Sequence, residues 1–455
     1  MNVTKKFTPL EKSSVKLTLS IPKEDAQAEY QTLLNDYCKK LQLPGFRKGK
    51  VPREVLERKF GESLKGEALS VIIEKAVGEV FDDEELSRQE RPLPYSRPEL
   101  GETPALDFDK DLEFSLVYDV LPAITIGAWK GLTVEAPDAE ISDEDIKREL
   151  EQLRERNAIV LDRDDDARAQ NNDVVTVDYW ELGDTGEPLP NGGRSDFAFT
   201  LGTGGNLYDF DDEIIGMKKG ETKEFVKTYP ADPPDVPLAG KTVKMRLTLK
   251  SVKEKKLPDL DDEFAQDVDE KFNTLDDLKN SIRERMETRL KQRLKDLKIS
   301  SLLEKIMESA PVTLPESMVR AELEGRWRST AKRFGLTVDK AMEMMEASGQ
   351  SPEALQSEWR PAAARALHSR LIVETLMEQE KIEASDEEVE KELETMAAES
   401  NTPLDEFKKY YEEQNAHDYL KEDIRERKFF DILLAENTIK PEKKKKYLDI
   451  MGYNG

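Results

Sequence analysis

The hydrophobic pattern of this chain changes at Leu257–Pro258, and this change limits the folds available to it. Before this point short alternating runs predict strands, whereas after it apolar residues recur at helical spacing almost to the end. The longest apolar stripe stops before Pro311 and contains Leu275, Leu278, Ile282, Met286, Leu290, Leu294, Leu297, Leu303 and Ile306. Further helices are predicted near 316–334, 338–347, 352–382, 385–398, 403–413 and 416–435. They share no fixed period, which argues against a repeat solenoid.

Composition favours several small cores over one large core. At 455 residues the chain is expected to form about three domains, and its apolar fraction of 37% and charged fraction of 36% favour small cores joined by long, surface-rich helices. A single cysteine, Cys38, excludes an internal disulfide and is typical of a reducing cytosol. The start lacks a signal-peptide core and no stretch approaches 18 apolar residues, so we expect a cytoplasmic protein. Two histidines and one cysteine offer no zinc site, and no Walker-type loop is present, so we expect neither metal nor cofactor.

Residues 1–115 are predicted to form an α+β head. Alternation over Val15–Ile21 and Leu112–Val120 predicts two strands, and helical patterns begin at Pro22 and Pro52. The loop between the helices reads Pro-Gly-Phe-Arg-Lys-Gly-Lys-Val-Pro over residues 44–52. Its candidate docking residues are Gly45, Phe46, Arg47, Lys48, Gly49 and Pro52.

Charge and exposure suggest what this loop does. Residues 36–61 carry eight basic and three acidic side chains in a chain whose formal net charge is −26. A local basic tip on an acidic body is typical of docking to a polyanion, and the phenylalanine is not explained by a merely solvated turn.

The pattern Gly-Phe-Arg-x-Gly-x-x-Pro resembles the ribosome-docking signature of the trigger factor family, chaperones that meet nascent chains at the tunnel exit. The resemblance implies two partners: the large ribosomal subunit, through protein and rRNA at the exit, and unfolded nascent polypeptides. It also implies a part in protein export and no membrane partner. Whether the free protein forms a homodimer stays open.

Residues 155–253 are predicted to form a β-rich domain with Gly- and Pro-rich connections. A charged helix is expected over 137–155, a polar hinge over 162–172, and a first strand over Val174–Trp180.

Residues 173–253 resemble the FKBP family of prolyl isomerases through Val-Asp-Tyr at 177–179 and the segments 196–202 and 214–221. The resemblance implies a sheet curled around one helix, with an aromatic pocket. By position the pocket residues are Tyr179, Leu189, Phe197, Leu207, Phe210 and Met245. Leu189 and Met245 replace rings, and Asp209 replaces a glycine, which we expect to place charge at the pocket floor.

The isomerase chemistry needs no acid, base or metal. Rotation about an X-Pro bond faces a barrier of roughly 18–20 kcal/mol because the amide has double-bond character. A dry aromatic pocket favours the twisted, less charge-separated amide. The departures from the family pattern leave two alternatives open, a slow isomerase and a domain that only binds.

The family resemblance also implies a discontinuous all-α chaperone domain with extended arms, built from 116–154 and 254–440, into which the FKBP-like domain is inserted. The charged tail 441–455 is expected to be mobile. Bulky residues on polar helices form a candidate client-binding surface, with core packing as the alternative: Trp327, Met342, Met344, Met345, Trp359, Phe429 and Phe430.

Together these observations predict a multidomain α+β protein that docks at the ribosome and holds nascent chains without ATP. An alternative is a protein that is primarily a prolyl isomerase, whose helices supply substrate affinity. A third hypothesis, a general RNA-binding protein, is disfavoured by chain-wide acidity and by the lack of an aromatic RNA-stacking motif.

Overall fold

The computed structural model describes residues 1–44, 46–47, 49–183, 185–230, 238, 240–413 and 416–452. It contains two compact units, one made of Met1–Ala136 and Asp296–Glu442, the other of Pro137–Lys295 and the chain from Lys443 onward. The fold is multidomain α+β, as predicted. The compact units are coarser than the predicted domains, whose boundaries stay predictions.

The N-terminal residues form a four-stranded antiparallel sheet packed against two helices. The elements are β1 (Thr4–Pro9), β2 (Ser14–Ile21), α1 (Lys23–Lys40), α2 (Arg53–Phe81), β3 (Glu99–Leu100) and β4 (Leu112–Asp119), with strand order β1-β2-β4-β3. Alternate side chains of β2 and β4 are buried, which confirms the predicted strands. Register places Leu17 opposite Leu116 and Leu19 opposite Phe114.

Helix α2 buries one face because its apolar residues recur every four positions. Leu64, Ala68, Ile72, Ala76 and Val80 are all buried in the head core. Full burial of a Leu, Ile or Val side chain contributes about 1.5–3 kcal/mol, so this stripe holds the helix to the sheet.

A short connecting region follows, with β5 (Thr133–Ala136), β6 (Ala139–Glu140) and α3 (Asp143–Arg156). The helix predicted from residue 137 begins only at Asp143, because Ser142 caps it. The Ser142 side chain accepts from the Asp145 amide (3.3 Å), and the Ser142 amide donates to the Asp145 carboxylate (3.0 Å).

The β-rich part is a five-stranded antiparallel sheet. Its strands are β7 (Ile159–Asp162), β8 (Val174–Leu182), β9 (Pro188–Thr200), β10 (Thr222–Thr228) and β11 (Thr242–Lys256), and a short helix, α4 (Asp211–Ile214), lies between β9 and β10 in the chain. The strand order is β10-β11-β8-β9, with β7 beside β11. Most of the predicted hinge is exposed, but Ala169 is buried and its amide donates to the Met217 carbonyl (2.9 Å), which fixes that end of the segment to the domain.

The remaining helices agree with the predicted positions to within a few residues, except the first, which was not predicted. They are α5 (Asp262–Val268), α6 (Leu275–Ser309), α7 (Glu316–Arg333), α8 (Val338–Ala347), α9 (Pro352–Gln379), α10 (Asp386–Glu399), α11 (Leu404–Glu413) and α12 (His417–Ala435). In the described part of the chain, no helix is both long and apolar enough to cross a membrane.

The expectation of a mobile tail is wrong for the described residues beyond α12. They form β12 (Thr438–Pro441), β13 (Lys445–Lys446) and α13 (Tyr447–Met451). β12 pairs in parallel with β5, and β13 pairs in parallel with β6. These backbone pairings, with buried Tyr447 and Ile450, hold the segment in place.

Candidate functional site

The candidate docking loop joins α1 to α2 in the head. Two main-chain hydrogen bonds fold it: the Phe46 amide donates to the Leu43 carbonyl (3.0 Å), and the Lys50 amide to the Arg47 carbonyl (2.9 Å). Phe46 is 36% exposed and Arg47 is also exposed, although Phe46 is large and apolar. Two further predicted residues, Gly45 and Lys48, lie outside the described residues.

Both stems of the loop are anchored, since Leu43 packs against the head core on the N-terminal side. Val51 is buried in the head core, and Pro52 precedes the first turn of α2. Gly49 has φ +76°, and a Cβ there would lie 3.3 Å from the Lys39 carbonyl oxygen, so this position favours glycine. The head therefore presents an aromatic ring and a guanidinium on a loop that is held at its base.

The candidate isomerase pocket is centred on Tyr179 of β8. Its ring centroid lies 5.6 Å from Phe197, 5.5 Å from Tyr208 and 5.3 Å from Phe210, in tilted or edge-on geometry. Phe210 is fully buried, as is Met245, which belongs to the same core. Such aromatic pairs add about 0.5–1.5 kcal/mol each beyond their buried area, so the cluster is a rigid apolar surface.

The two leucines of the predicted pocket lie apart from the buried residues. Leu189 is 39% exposed and Leu207 is 57% exposed, and neither belongs to the buried cluster. The structure therefore brings together Tyr179, Phe197 and Phe210 with Met245, and leaves the leucines on the surface.

The expectation that Asp209 places charge at the pocket floor is wrong. Asp209 adopts φ +45°, its side chain is 74% exposed, and its carboxylate accepts from Lys227 Nζ at 2.8 Å. The left-handed backbone turns this side chain outward, where a partner and water both stabilise its charge.

Sequence reasoning missed two tyrosines of this cluster. Tyr208 packs against Tyr179 and Phe210, and the Tyr229 hydroxyl donates to the Tyr208 carbonyl at 2.6 Å. Burial raises the pKa of Tyr208, and burial, followed by the Asp209 charge, raises the pKa of Tyr229 to about 12. Both hydroxyls therefore stay neutral at physiological pH. The available signal was a tyrosine inside the aromatic segment 206–210 and another just before Pro230.

A buried polar network positions Phe210. The Asp211 carboxylate accepts from the Gly202 amide (2.6 Å) and from the Asn206 side-chain amide, while Asn206 Oδ1 accepts from the Phe210 amide (3.0 Å). Asp211 and Asn206 are both buried, so these bonds fix the turn that carries Phe210.

The candidate client-binding residues fall into two groups. Trp327 and Phe429 are buried, because Trp327 packs against Trp359 (4.9 Å) and Phe429 against Trp129 (5.9 Å), and this removes them from an accessible surface. The other candidates are exposed or half-buried: Met342, Met344, Met345, Trp359 and Phe430. Met344 is 58% exposed on α8, a helix whose ten residues include no buried side chain.

Models of known protein families match three segments of this chain. Residues 1–153 match the model described as bacterial trigger factor protein, and residues 274–435 match its C-terminus model. Residues 165–250 match the FKBP-type peptidyl-prolyl cis-trans isomerase model.

Full-length relatives agree with the domain matches. The trigger factor of Treponema denticola is 44% identical over 98% of each chain. That of Treponema pallidum (strain Nichols) is 38% identical over 96% of this chain and 95% of its own. A solved structure from work on promiscuous substrate recognition by the trigger factor chaperone aligns over 95% of this chain and 99% of its own, with 23% identity and a TM-score of 0.47.

An α+β head, an FKBP-type isomerase domain and a long helical region in one chain define a modular chaperone of the protein-folding machinery. Relatives of 38–44% identity, which match nearly the whole chain, identify the family within this class. The chain belongs to the trigger factor family, and it is a chaperone carrying an FKBP-type peptidyl-prolyl isomerase domain.

Proposed function

We propose that this chaperone works in the cytoplasm, docks its head at the tunnel exit of the large ribosomal subunit, and holds emerging chains without ATP. The observation that supports docking is the anchored loop with exposed Phe46 and Arg47. Aromatic and arginine side chains are the residues that most often dominate binding energy at interfaces. An arginine also reaches RNA phosphate with charge-assisted hydrogen bonds.

Ribosome co-sedimentation tests this role. The variant Phe46→Ala/Arg47→Ala/Lys48→Ala should lose at least about 30-fold in ribosome affinity, since a single lost hot spot costs about 2 kcal/mol or more and each 1.4 kcal/mol is a factor of ten. Residues 332–334 provide a matched control, because Lys332, Arg333 and Phe334 are exposed and have the same composition.

The control variant, with those three residues changed to alanine, should co-sediment like the wild type. Both variants should keep the head folded, and the loop variant should still suppress aggregation of a denatured soluble client. Undiminished co-sedimentation of the loop variant would defeat the docking assignment.

We further propose that the aromatic cluster around Tyr179 binds X-Pro segments and catalyses their isomerisation. Support comes from the apolar cluster itself and from the Asp209 carboxylate, which is exposed and paired with Lys227 rather than buried among the rings. In this site catalysis arises from favouring the twisted amide in an apolar environment.

Proline-limited refolding of a model substrate tests the catalytic proposal in the full chain. Phe197→Ala removes a half-buried ring beside Tyr179, and should lower kcat/KM about tenfold or more. Val226→Ala is the control, because Val226 is 63% exposed on β10 of the same sheet. No acceleration by the wild type would mean a domain that only binds.

A further inference from the structure

Four consecutive lysines, Lys443–Lys446, form an ordered strip on this acidic protein. All four side chains are exposed. The strip runs into β13, which pairs in parallel with β6, and the Lys445 amide donates to the Asp138 carbonyl at 2.8 Å. The backbone of this lysine strip is therefore held by main-chain hydrogen bonds.

The residues that follow the strip anchor it to the protein. Tyr447 and Ile450 of α13 are 3% and 5% exposed. Arg293 Nε donates to the Ile450 carbonyl at 3.2 Å, where it satisfies an acceptor at the C-terminal end of this short helix. Because Tyr447 and Ile450 are buried, the strip exposes its lysine side chains from a backbone that is held in place.

The charge of this strip contrasts with the rest of the chain. Residues 440–449 contain five lysines and two acidic residues, while the whole chain has a formal net charge of −26. Glu140 neutralises part of the strip by pairing with Lys444. Within the described residues, Lys443 and Lys446 form no ion pair, so their ammonium groups remain for a ligand.

We propose that the lysine strip binds the phosphate backbone of RNA. Contacts to the phosphate backbone require exposed cationic side chains, and such contacts carry no sequence preference. An anionic membrane fits less well, because surface-binding elements also insert apolar side chains, and Tyr447 and Ile450 are buried. A protein partner fits less well, since protein interfaces have an apolar or aromatic centre that this strip lacks.

This contact is independent of the docking loop, so its test uses RNA alone. The full chain is titrated into fluorescein-labelled oligouridylate at several KCl concentrations, and anisotropy reports binding. Lys443→Gln/Lys446→Gln is compared with the control Lys340→Gln/Lys391→Gln, which removes two exposed lysines and the same charge elsewhere. Amide exchange of the α13 segment verifies that the strip remains anchored in both variants.

Each single-strand phosphate contact contributes about 0.7 to the slope of log affinity against log salt, so two lost contacts reduce it by about 1.4. Between about 50 and about 200 mM KCl, wild-type affinity should therefore fall about sevenfold more than that of the strip variant. The control variant should follow the wild type.

An unchanged slope in the strip variant would overturn the proposal, as would an absence of RNA binding by the wild type at low salt. A parallel titration uses vesicles of phosphatidylglycerol and phosphatidylcholine. If the strip variant lost vesicle binding alone, the ligand would be a lipid headgroup and the RNA assignment would fail.

Discussion

Asp173 is the most deeply buried carboxylate among the described residues of the FKBP-like domain, and removing it should loosen that domain. Its side chain is 2% exposed. Its two carboxylate oxygens each accept from Arg163, from Nη2 and Nε, both at 2.9 Å, and one also accepts from the Gln170 amide at 2.9 Å. This bidentate bond raises the pKa of the Arg163 guanidinium. The pair ties the start of β8 to the segment that follows β7.

The expected cost follows from the burial of the two partners. Removing one member of a buried ion pair generally costs about 3–5 kcal/mol, because the other charge loses its compensation. The Arg163 side chain is 19% exposed, so water can reach its guanidinium in Asp173→Ala. We therefore expect a loss of about 2–4 kcal/mol in the free energy of opening this domain. In Arg163→Met/Asp173→Leu both charges are absent, and much of that loss should be recovered.

Amide hydrogen exchange read by mass spectrometry suits this test, because a multidomain chain lacks a single two-state unfolding transition. Peptides covering β8 should exchange roughly 30- to 700-fold faster in Asp173→Ala, since each 1.4 kcal/mol is a factor of ten. Asp165→Ala is the matched control, because Asp165 pairs with Lys219 on the surface of the same domain and its side chain is 83% exposed. That variant should exchange like the wild type. If Asp173→Ala changed β8 exchange less than threefold, the pair would not stabilise the domain as argued.

Two further predictions concern the helical region and the docking loop. Burial raises the pKa of the Glu374 carboxyl, so its contribution to stability is present at low pH and declines as pH rises from the unfolded pKa to the raised folded pKa. Glu374→Gln should therefore slow exchange of α9 at neutral pH but not below the unfolded pKa, and equal α9 exchange at neutral pH would contradict this. Gly49→Ala should destabilise the loop by about 1–2 kcal/mol because of its positive φ. Gly78→Ala, in helix α2 with open space for a Cβ, should be stabilising by about 0.5–1 kcal/mol, and exchange of both segments compares them.

Strong periodicity made the longer elements predictable. The strand β2 alternates through four inward positions, and α2 repeats apolar residues every fourth position, so local pattern and burial agree. The docking loop was also identifiable, since an exposed Phe46 between glycines is not explained by core packing. Strong periodicity also made the helix positions after Pro258 predictable, although it could not show that Trp327 and Phe429 are buried.

Features that depend on distant partners could not be predicted in this way. β6 and β13 have two residues each, too few for any alternation, and each exists because the other is beside it. Asp209 is similar: the sequence shows a charge where a glycine was expected, but only the backbone shows that φ is +45° and that Lys227 lies within reach. Local sequence does not encode such pairings, because they depend on the folded path of the whole chain.

The pairing of β5 with β12 also dictates when this chaperone can complete its own structure during synthesis. The Leu132 amide donates to the Asn437 side chain, its partner 305 residues later, and Ile439 joins the same apolar cluster as Trp129 and Val134. At a synthesis rate of 5–20 residues per second, the wait between the two partners is about 15–60 s. During that interval Trp129 and Val134 lack their packing against the segment that contains Ile439. A chaperone that protects unfinished chains is therefore itself, during synthesis, an unfinished chain with exposed apolar residues.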